Sequence, residues 1–181
     1  MPPTLDDLVP EFRPGAERLI QECAALGVVM RVNETVRDPL AQARIWRQSR
    51  TVEQIRDTVA RLRRDNAPFL ADCVEVVGPQ HGAPVTNAPP GLSWHQWGEA
   101  LDCFWVVDGK AVWSTTRKVN GRNGYHTYAE AARHLGLEAG GFWTSFKDWP
   151  HVQSRAASSP AKVYTIVQID TVMRQRFGHL L

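Results

Sequence analysis

Two short segments of the chain carry side chains that could bind a metal ion. The first, residues 93–102, reads SWHQWGEALD. It ends in a predicted strand, in which successive side chains point to opposite faces, so Asp102 lies on the same face as the small Ala100. A carboxylate in such apolar surroundings is costly to bury unless it is paired or binds a metal. Gly98 permits a bend that could fold His95 back over Asp102, and His and Asp are both good zinc ligands.

The second segment, residues 148–151, reads DWPH. Its proline restricts the preceding residue to an extended conformation, which fixes the geometry between Asp148 and His151. A third ligand from this segment would complete a set with His95 and Asp102. Three protein ligands with one open position are typical of a catalytic zinc site. The spacings therefore favour such a site, with Asp148 close to the open position, where a water molecule could sit.

These motifs resemble those of a known enzyme family. Residues 93–102 match in full the S-x-H-x-x-G-x-A-x-D signature of the D-Ala-D-Ala carboxypeptidase family of zinc peptidases, and residues 148–151 match its second motif. Arg37 followed by Gln42 resembles the family's early motif. The order of the three motifs, with the stretches VTNAPPG and SFKDWPH, resembles the branch of phage L-alanyl-D-glutamate endopeptidases. The resemblance covers roughly residues 15–153.

The resemblance implies a role for each matched residue. His95, Asp102 and His151 would bind Zn²⁺, which lowers the pKa of a bound water from about 16 to about 7 and polarises the scissile carbonyl. Asp148 would act as general base, taking the proton of the water and passing it to the leaving amine. Arg37, which is always charged, would stabilise the oxyanion of the tetrahedral intermediate.

Two further residues are candidates for substrate binding, and two positions depart from the family. Ser93 could hydrogen-bond a substrate carboxylate or carbonyl, and Gln42 could hold Arg37 or the substrate. Phe142 stands where many relatives have an acidic residue, and Val152-Gln153 stands where Phe-Glu is common. Neither departure replaces a ligand, so from the sequence we expect them to put the fine substrate preference in doubt, and not the metal site.

The resemblance implies an α+β fold, and the elements predicted from the sequence are compatible with it. We expect helices packed on a small antiparallel sheet, as in the hedgehog and DD-peptidase type of zinc peptidase, with a strand over 99–107 and a hairpin turn at Asp108-Gly109. Gly140-Gly141 is expected to open a strand-like stretch to Trp143. Residues 160–177 are compatible with a helix capped by Ser159, and their VYTIV centre is equally compatible with a strand. The other helices are predicted at about 14–26, 39–48, 51–66 and 125–135.

Composition sets the remaining limits. The chain has 181 residues, 20.3 kDa and a net charge of +2, which suits one catalytic domain over 1–181 and gives no argument for nucleic acid. The tail 154–181 is too short for a separate wall-binding domain. Three distant cysteines predict no disulfide framework. No apolar run predicts membrane insertion, and the acidic, proline-containing N-terminus does not resemble a signal peptide.

Three functions are compatible with these observations. The first is a monomeric zinc peptidase that cuts peptidoglycan stem peptides, with the bond between L-Ala and D-Glu as the expected target, as a bacteriophage endolysin does. It would be made in the cytoplasm and reach the wall after the membrane is permeabilised. The second is a D,D-carboxypeptidase or dipeptidase that releases D-Ala. The third is a non-catalytic wall-binding zinc module, which would need neither Asp148 nor Arg37.

Overall fold

The structure, a computed structural model, describes residues 2–181, and its contacts divide the chain into two compact units. One unit comprises the chain up to Val36 together with Gly98–Ala156, and the other comprises Arg37–Trp97 with Ala157–Leu181. The first unit contains five strands and two helices: α1 (Arg13–Ala25), β1 (Val29–Glu34), β2 (Ala100–Val107), β3 (Lys110–Val112), α5 (Gly124–His134), β4 (Glu138–Ala139) and β5 (His151–Gln153). The second unit is helical, with α2 (Pro39–Arg47), α3 (Val52–Arg64), α4 (Pro68–Val76) and α6 (Ile166–Phe177).

The sheet of the first unit is antiparallel throughout and is organised around β2. Its order is β1-β2-β5-β4, and β3 pairs with the second half of β2. The turn between β2 and β3 uses Asp108 (φ 50°) and Gly109 (φ 74°), because a two-residue turn of this type needs positive φ at both positions. The long β2 therefore links the segment that carries Asp102 to the rest of the sheet.

One face of this sheet is covered by α1 and α5. The inward residues of β2 are Leu101, Cys103 and Trp105, each at most 2% exposed, and they pack with Leu19 of α1 and Tyr128 of α5. The outward residues of β2 alternate with them, so Asp102 stands on the face away from this core. Burying the apolar face thus fixes the side of the sheet on which the carboxylate lies.

The second unit is built around α4, which contacts α2, α3 and α6. Its buried residues include Leu70 and Val74 of α4 with Ile169 and Met173 of α6, all fully buried. The N-terminus of α4 has no side-chain cap of its own, since Ala67 precedes it. The carboxylate of Asp170 in α6 supplies this cap by accepting a hydrogen bond from the backbone N–H of Leu70 at 2.9 Å.

The α+β class with a small antiparallel sheet is confirmed, as are the predicted helices α1, α2, α3 and α5 to within two residues. Two local predictions are wrong. Gly140–Phe142 forms a 3₁₀ turn after β4 and not a strand, and Ser159 caps only the short turn Pro160–Lys162, whereas α6 is capped by Thr165. The sequence analysis also missed α4, β4 and β5.

Removing the distant cap of α4 is expected to destabilise the protein. Replacing Asp170 by Ala should lower the free energy of unfolding by about 1–3 kcal/mol, because it leaves a buried N–H without a partner. Burial raises the pKa of Asp170, so the carboxyl ionises at a higher pH in the folded protein than in the unfolded chain, and its ionisation lowers the stability of the fold as pH rises between those two pKa values. Asp170→Asn keeps the acceptor without the charge and is therefore the matched control. Denaturant unfolding at neutral pH measures both; equal stability of the Ala and Asn variants would contradict the capping role.

Candidate metal centre and active site

His95 lies in a 3₁₀ turn, Trp94–Trp97, that is held by its two indoles. The Nε1 of Trp94 donates to the carbonyl oxygen of Ala157, and the Nε1 of Trp97 donates to that of Gly91 at 3.0 Å. Trp97 also stacks on Tyr164 with ring centroids 4.7 Å apart. Ala157 and Tyr164 belong to the C-terminal tail, so the tail contributes directly to fixing the turn that presents His95.

Gly98 connects this turn to β2 in a conformation that favours glycine. Its φ is +74°, and a Cβ at this position would lie 3.3 Å from the backbone nitrogen of Val9. The same nitrogen donates to the Gly98 carbonyl oxygen at 3.0 Å. Positive φ and close backbone approach together explain why the bend predicted between His95 and Asp102 occurs at a glycine.

Asp102 and His151 face each other across the pairing of β2 with β5. They are direct register partners, and the Nδ1 of His151 lies 3.0 Å from the Oδ1 of Asp102. Their side chains are 16% and 9% exposed, respectively. Burial alone would lower the pKa of His151, but the hydrogen bond and charge of Asp102, with the charge of Asp148, outweigh it and raise the pKa above its ordinary value.

His95 completes a cluster with these two residues. One donor atom from each of His95, Asp102 and His151 can be chosen so that all lie within 4.8 Å of one another, and no other group of three metal-ligating side chains occurs over residues 2–181. Two imidazoles and one carboxylate form a donor set that suits zinc. The chemistry of the donors and their separation therefore fit a zinc ion.

The remaining histidines and the neighbouring cysteine lie outside this cluster. His81, His126, His134 and His179 are all exposed, as expected for ordinary polar residues. Cys103 follows Asp102 but points into the core and is fully buried. Its burial raises the pKa of the thiol to about 12, so it stays protonated at neutral pH and is unsuited to metal binding.

Asp148 is positioned by a close approach of the chain to Gly140. The Asp148 N–H donates to the Gly140 carbonyl oxygen at 3.0 Å, and the Asp148 carbonyl oxygen accepts from the N–H of His151 at 3.2 Å. A Cβ on Gly140 would lie 2.4 Å from the Asp148 carbonyl oxygen, which no real side chain tolerates. The glycine thus allows Asp148, half-buried, to sit one turn before His151.

A methyl group at position 140 is expected to disturb this arrangement. Gly140→Ala should lower the free energy of unfolding by about 1–3 kcal/mol, because the backbone of Asp148 must move to relieve the overlap. Gly15→Ala in α1 is the matched control, since the nearest atom to its added Cβ is a Leu137 methyl at 3.7 Å. Thermal unfolding compares the two; a Gly140→Ala variant as stable as Gly15→Ala would rule out the tight contact.

Arg37 is held by a chain of buried amides. Its Nη1 donates to the Oε1 of Gln42 at 2.8 Å, and the same oxygen accepts from the Nε2 of Gln96 at 2.8 Å. The Nε2 of Gln42 donates to the Ala88 carbonyl oxygen at 2.6 Å, and the Oε1 of Gln96 accepts from the N–H of Gly91. Because these backbone groups fix which end of each amide donates, the oxygen of Gln42 must face the guanidinium.

Ser93 stands at the start of the His95 turn. Its hydroxyl accepts from the backbone N–H of His95 at 3.4 Å, and its carbonyl oxygen accepts from that of Gln96 at 3.1 Å. The Arg37 N–H donates to the carbonyl oxygen of His95 at 3.4 Å, which joins the early motif to this turn. Contact of Ser93 or Gln42 with substrate stays a prediction.

The sequence analysis gave no role to two buried glutamines at this site. Gln96 is fully buried in the amide chain behind Arg37, and Gln153 is 2% exposed and hydrogen-bonded to His151. The second lies two positions after His151, so it would share a face with that residue in a strand, but the three-residue strand β5 was itself not predictable from the sequence. The first had no periodic signal, because its partners are Gln42 of α2, 54 positions away, and the backbone of Gly91.

Comparison with known proteins agrees with the peptidase class that the motifs of this site suggest. Residues 86–154 match the family model described as D-alanyl-D-alanine carboxypeptidase. This segment contains His95, Asp102 and His151, together with Asp148. The resemblance predicted from the two motifs is therefore confirmed over the part of the chain that carries them.

Individual relatives have a narrower description. The chain is 27% identical over 154 residues to the peptidoglycan L-alanyl-D-glutamate endopeptidase CwlK of Bacillus subtilis (strain 168), which covers 83% of this chain and 75% of CwlK. Among solved structures, it matches the L-Ala D-Glu endopeptidase ChiX of Serratia marcescens with a TM-score of 0.43 and 20% identity, over 83% of each chain.

Proposed function

We propose that this protein is a zinc metallopeptidase that hydrolyses the L-Ala–D-Glu bond of peptidoglycan stem peptides. The observation that carries the proposal is the cluster of His95, Asp102 and His151, whose donor atoms lie within 4.8 Å of one another inside the two family motifs. The matched family and the name of the Bacillus relative support the peptidase class and the bond.

The cluster would hold the metal, and its neighbours would handle protons and charge. When bound, zinc supplies a Lewis acid that makes water more acidic and polarises a carbonyl group. Asp148 takes a proton from the attacking water as the carbon–oxygen bond forms, and returns it to the leaving amine of D-Glu as the carbon–nitrogen bond breaks. A half-buried carboxylate three residues before the proposed ligand His151 is suited to this transfer.

Arg37 would stabilise the negative charge that develops on the carbonyl oxygen. A guanidinium is charged at every relevant pH, so its contribution depends on its position and not on its protonation. The buried amide of Gln42 holds it in place, which lowers the reorganisation required during the reaction. Ser93, at the start of the His95 turn, would contact the substrate backbone.

The biological setting is also part of the proposal. We propose that residues 1–181 serve as one monomeric catalytic domain whose partner is the peptidoglycan, with a bacteriolytic role like that of a bacteriophage endolysin synthesised in the cytoplasm. The motif stretches that resemble the phage branch support this role. None of the helices over residues 2–181 has both the length and the apolar character of a membrane span.

Mass spectrometry of a peptidoglycan digest tests the proposal. Purified peptidoglycan is incubated with the zinc-loaded protein, with a chelator-treated sample as control. We expect stem peptides with a new N-terminal D-Glu, and L-Ala left on the glycan, in the zinc sample only. Release of D-Ala alone would assign the protein to the carboxypeptidases. No product despite bound zinc would favour a wall-binding module.

A further inference from the structure

Gln153 lies directly behind the proposed ligand His151. It is the last residue of β5, two positions after His151 and on the same face of the strand. Its side chain is nearly inaccessible, at 2% exposure, although glutamine is among the residues usually found at the surface. A buried amide in this position requires partners for both of its ends.

The partners of Gln153 determine which way its amide points. Its Nε2 donates to the carbonyl oxygen of Arg155, which can only accept. The Oε1 is thereby turned toward the Nε2 of His151, 3.1 Å away. Since an amide oxygen cannot donate, the hydrogen in this contact belongs to the imidazole.

This contact selects one of the two neutral forms of the imidazole. With the hydrogen kept on Nε2, Nδ1 is the nitrogen left to bind a metal; in the metal-free protein it donates to the Oδ1 of Asp102 at 3.0 Å, and it would give up that hydrogen when a metal binds. The nitrogen with ligand capacity therefore points at the second proposed ligand. Without Gln153, the ring could rotate or carry its hydrogen on the wrong nitrogen.

We propose that Gln153 is a positioning residue for the metal centre, which fixes both the ring orientation and the tautomer of His151. The inference rests on the proposed zinc site of His95, Asp102 and His151. Hydrogen-bond acceptors behind a ligating histidine commonly contribute about 10–100-fold to metal affinity. A neutral amide does so here without adding another charge to a buried site that already contains carboxylates.

Zinc affinity of full-length variants tests this role without any need for turnover. The zinc dissociation constant is measured by competition with a chromogenic chelator at constant pH. Gln153→Leu, which has a similar volume and no acceptor, should raise it by about 10–100-fold. Gln153→Glu keeps an acceptor and should restore most of the affinity. Glu138→Leu changes the exposed residue of β4 that pairs with Gln153. It controls for disturbance of the strand pair and should leave the zinc dissociation constant unchanged.

A second measurement on the unmodified protein does not depend on whether the variants fold. Long-range ¹H–¹⁵N spectra of the zinc-loaded protein should show His151 with its hydrogen on Nε2. A hydrogen on Nδ1, or a folded Gln153→Leu variant with unchanged zinc affinity, would overturn the role of Gln153 alone. Absence of zinc binding by the unmodified protein would instead overturn the proposed function.

Discussion

Replacing Asp148 by Asn is expected to reduce kcat for stem-peptide hydrolysis by about 10²–10⁴-fold, which is the contribution typical of a general base. The substitution preserves the size of the side chain and removes its ability to take a proton. Asp148 is not among the clustered donors His95, Asp102 and His151, so zinc should remain bound at one ion per chain. Release of soluble stem peptide measures the rate, and elemental analysis measures the metal.

The combination of lost turnover and retained zinc is what separates a base from a ligand. Asp108→Asn makes the same chemical change at an exposed turn and should leave both quantities unaltered. Loss of zinc in Asp148→Asn would instead assign Asp148 to the metal site. Full activity would remove it from the mechanism and leave the proton transfer to another group.

The parts of the fold that could be predicted from the sequence are those specified by neighbouring residues. Thr51 with Gln54 forms the capping box expected at the start of α3, and Asp38 caps α2 through the N–H of Ala41. The missed helix α4 has no such local signal, because the group that caps it lies 100 positions away on α6. Its residues are also mostly buried, so they lack the polar face from which a helix period is recognised.

The candidate site divides in the same way. The three proposed ligands could be identified because motif spacing and residue chemistry are local properties. The strand that presents His151 could not, since β5 has only three residues and exists through pairing with β2 and β4. Gln96 and Gln153 were missed for the related reason that a glutamine's function depends on which groups receive its two ends, and those groups are set by tertiary structure.

These glutamines give the site a rigidity that the motifs alone do not convey. Arg37 is half-buried and hydrogen-bonded to Gln42, whose amide is in turn hydrogen-bonded to that of Gln96. The amide of Gln153 contacts the Nε2 of His151. Catalytic groups held in this manner stabilise charge without the reorganisation that water requires. The effect of removing Arg37 should accordingly be large, and loosening its support should have a smaller effect in the same direction.

Replacing Arg37 by Met is expected to lower kcat/KM by about 10²–10³-fold, the loss typical when one donor to a developing oxyanion is removed. Gln42→Leu should produce a smaller loss, because the guanidinium remains but its Nη1 no longer has the 2.8 Å contact that orients it. Neither residue belongs to the donor cluster, so zinc content should not change. Steady-state hydrolysis of a defined stem peptide measures both variants.

The split between kcat and KM distinguishes oxyanion stabilisation from simple substrate binding. A group that acts on the transition state lowers kcat, whereas one that binds substrate and transition state equally raises KM. Arg44→Met, at an exposed position of α2, removes a charge from the same helix segment and should leave both constants unchanged. If Arg37→Met raises KM alone, Arg37 binds a substrate carboxylate. That outcome would move the oxyanion role to the metal and favour the carboxypeptidase hypothesis, in which a free carboxylate needs a cationic partner.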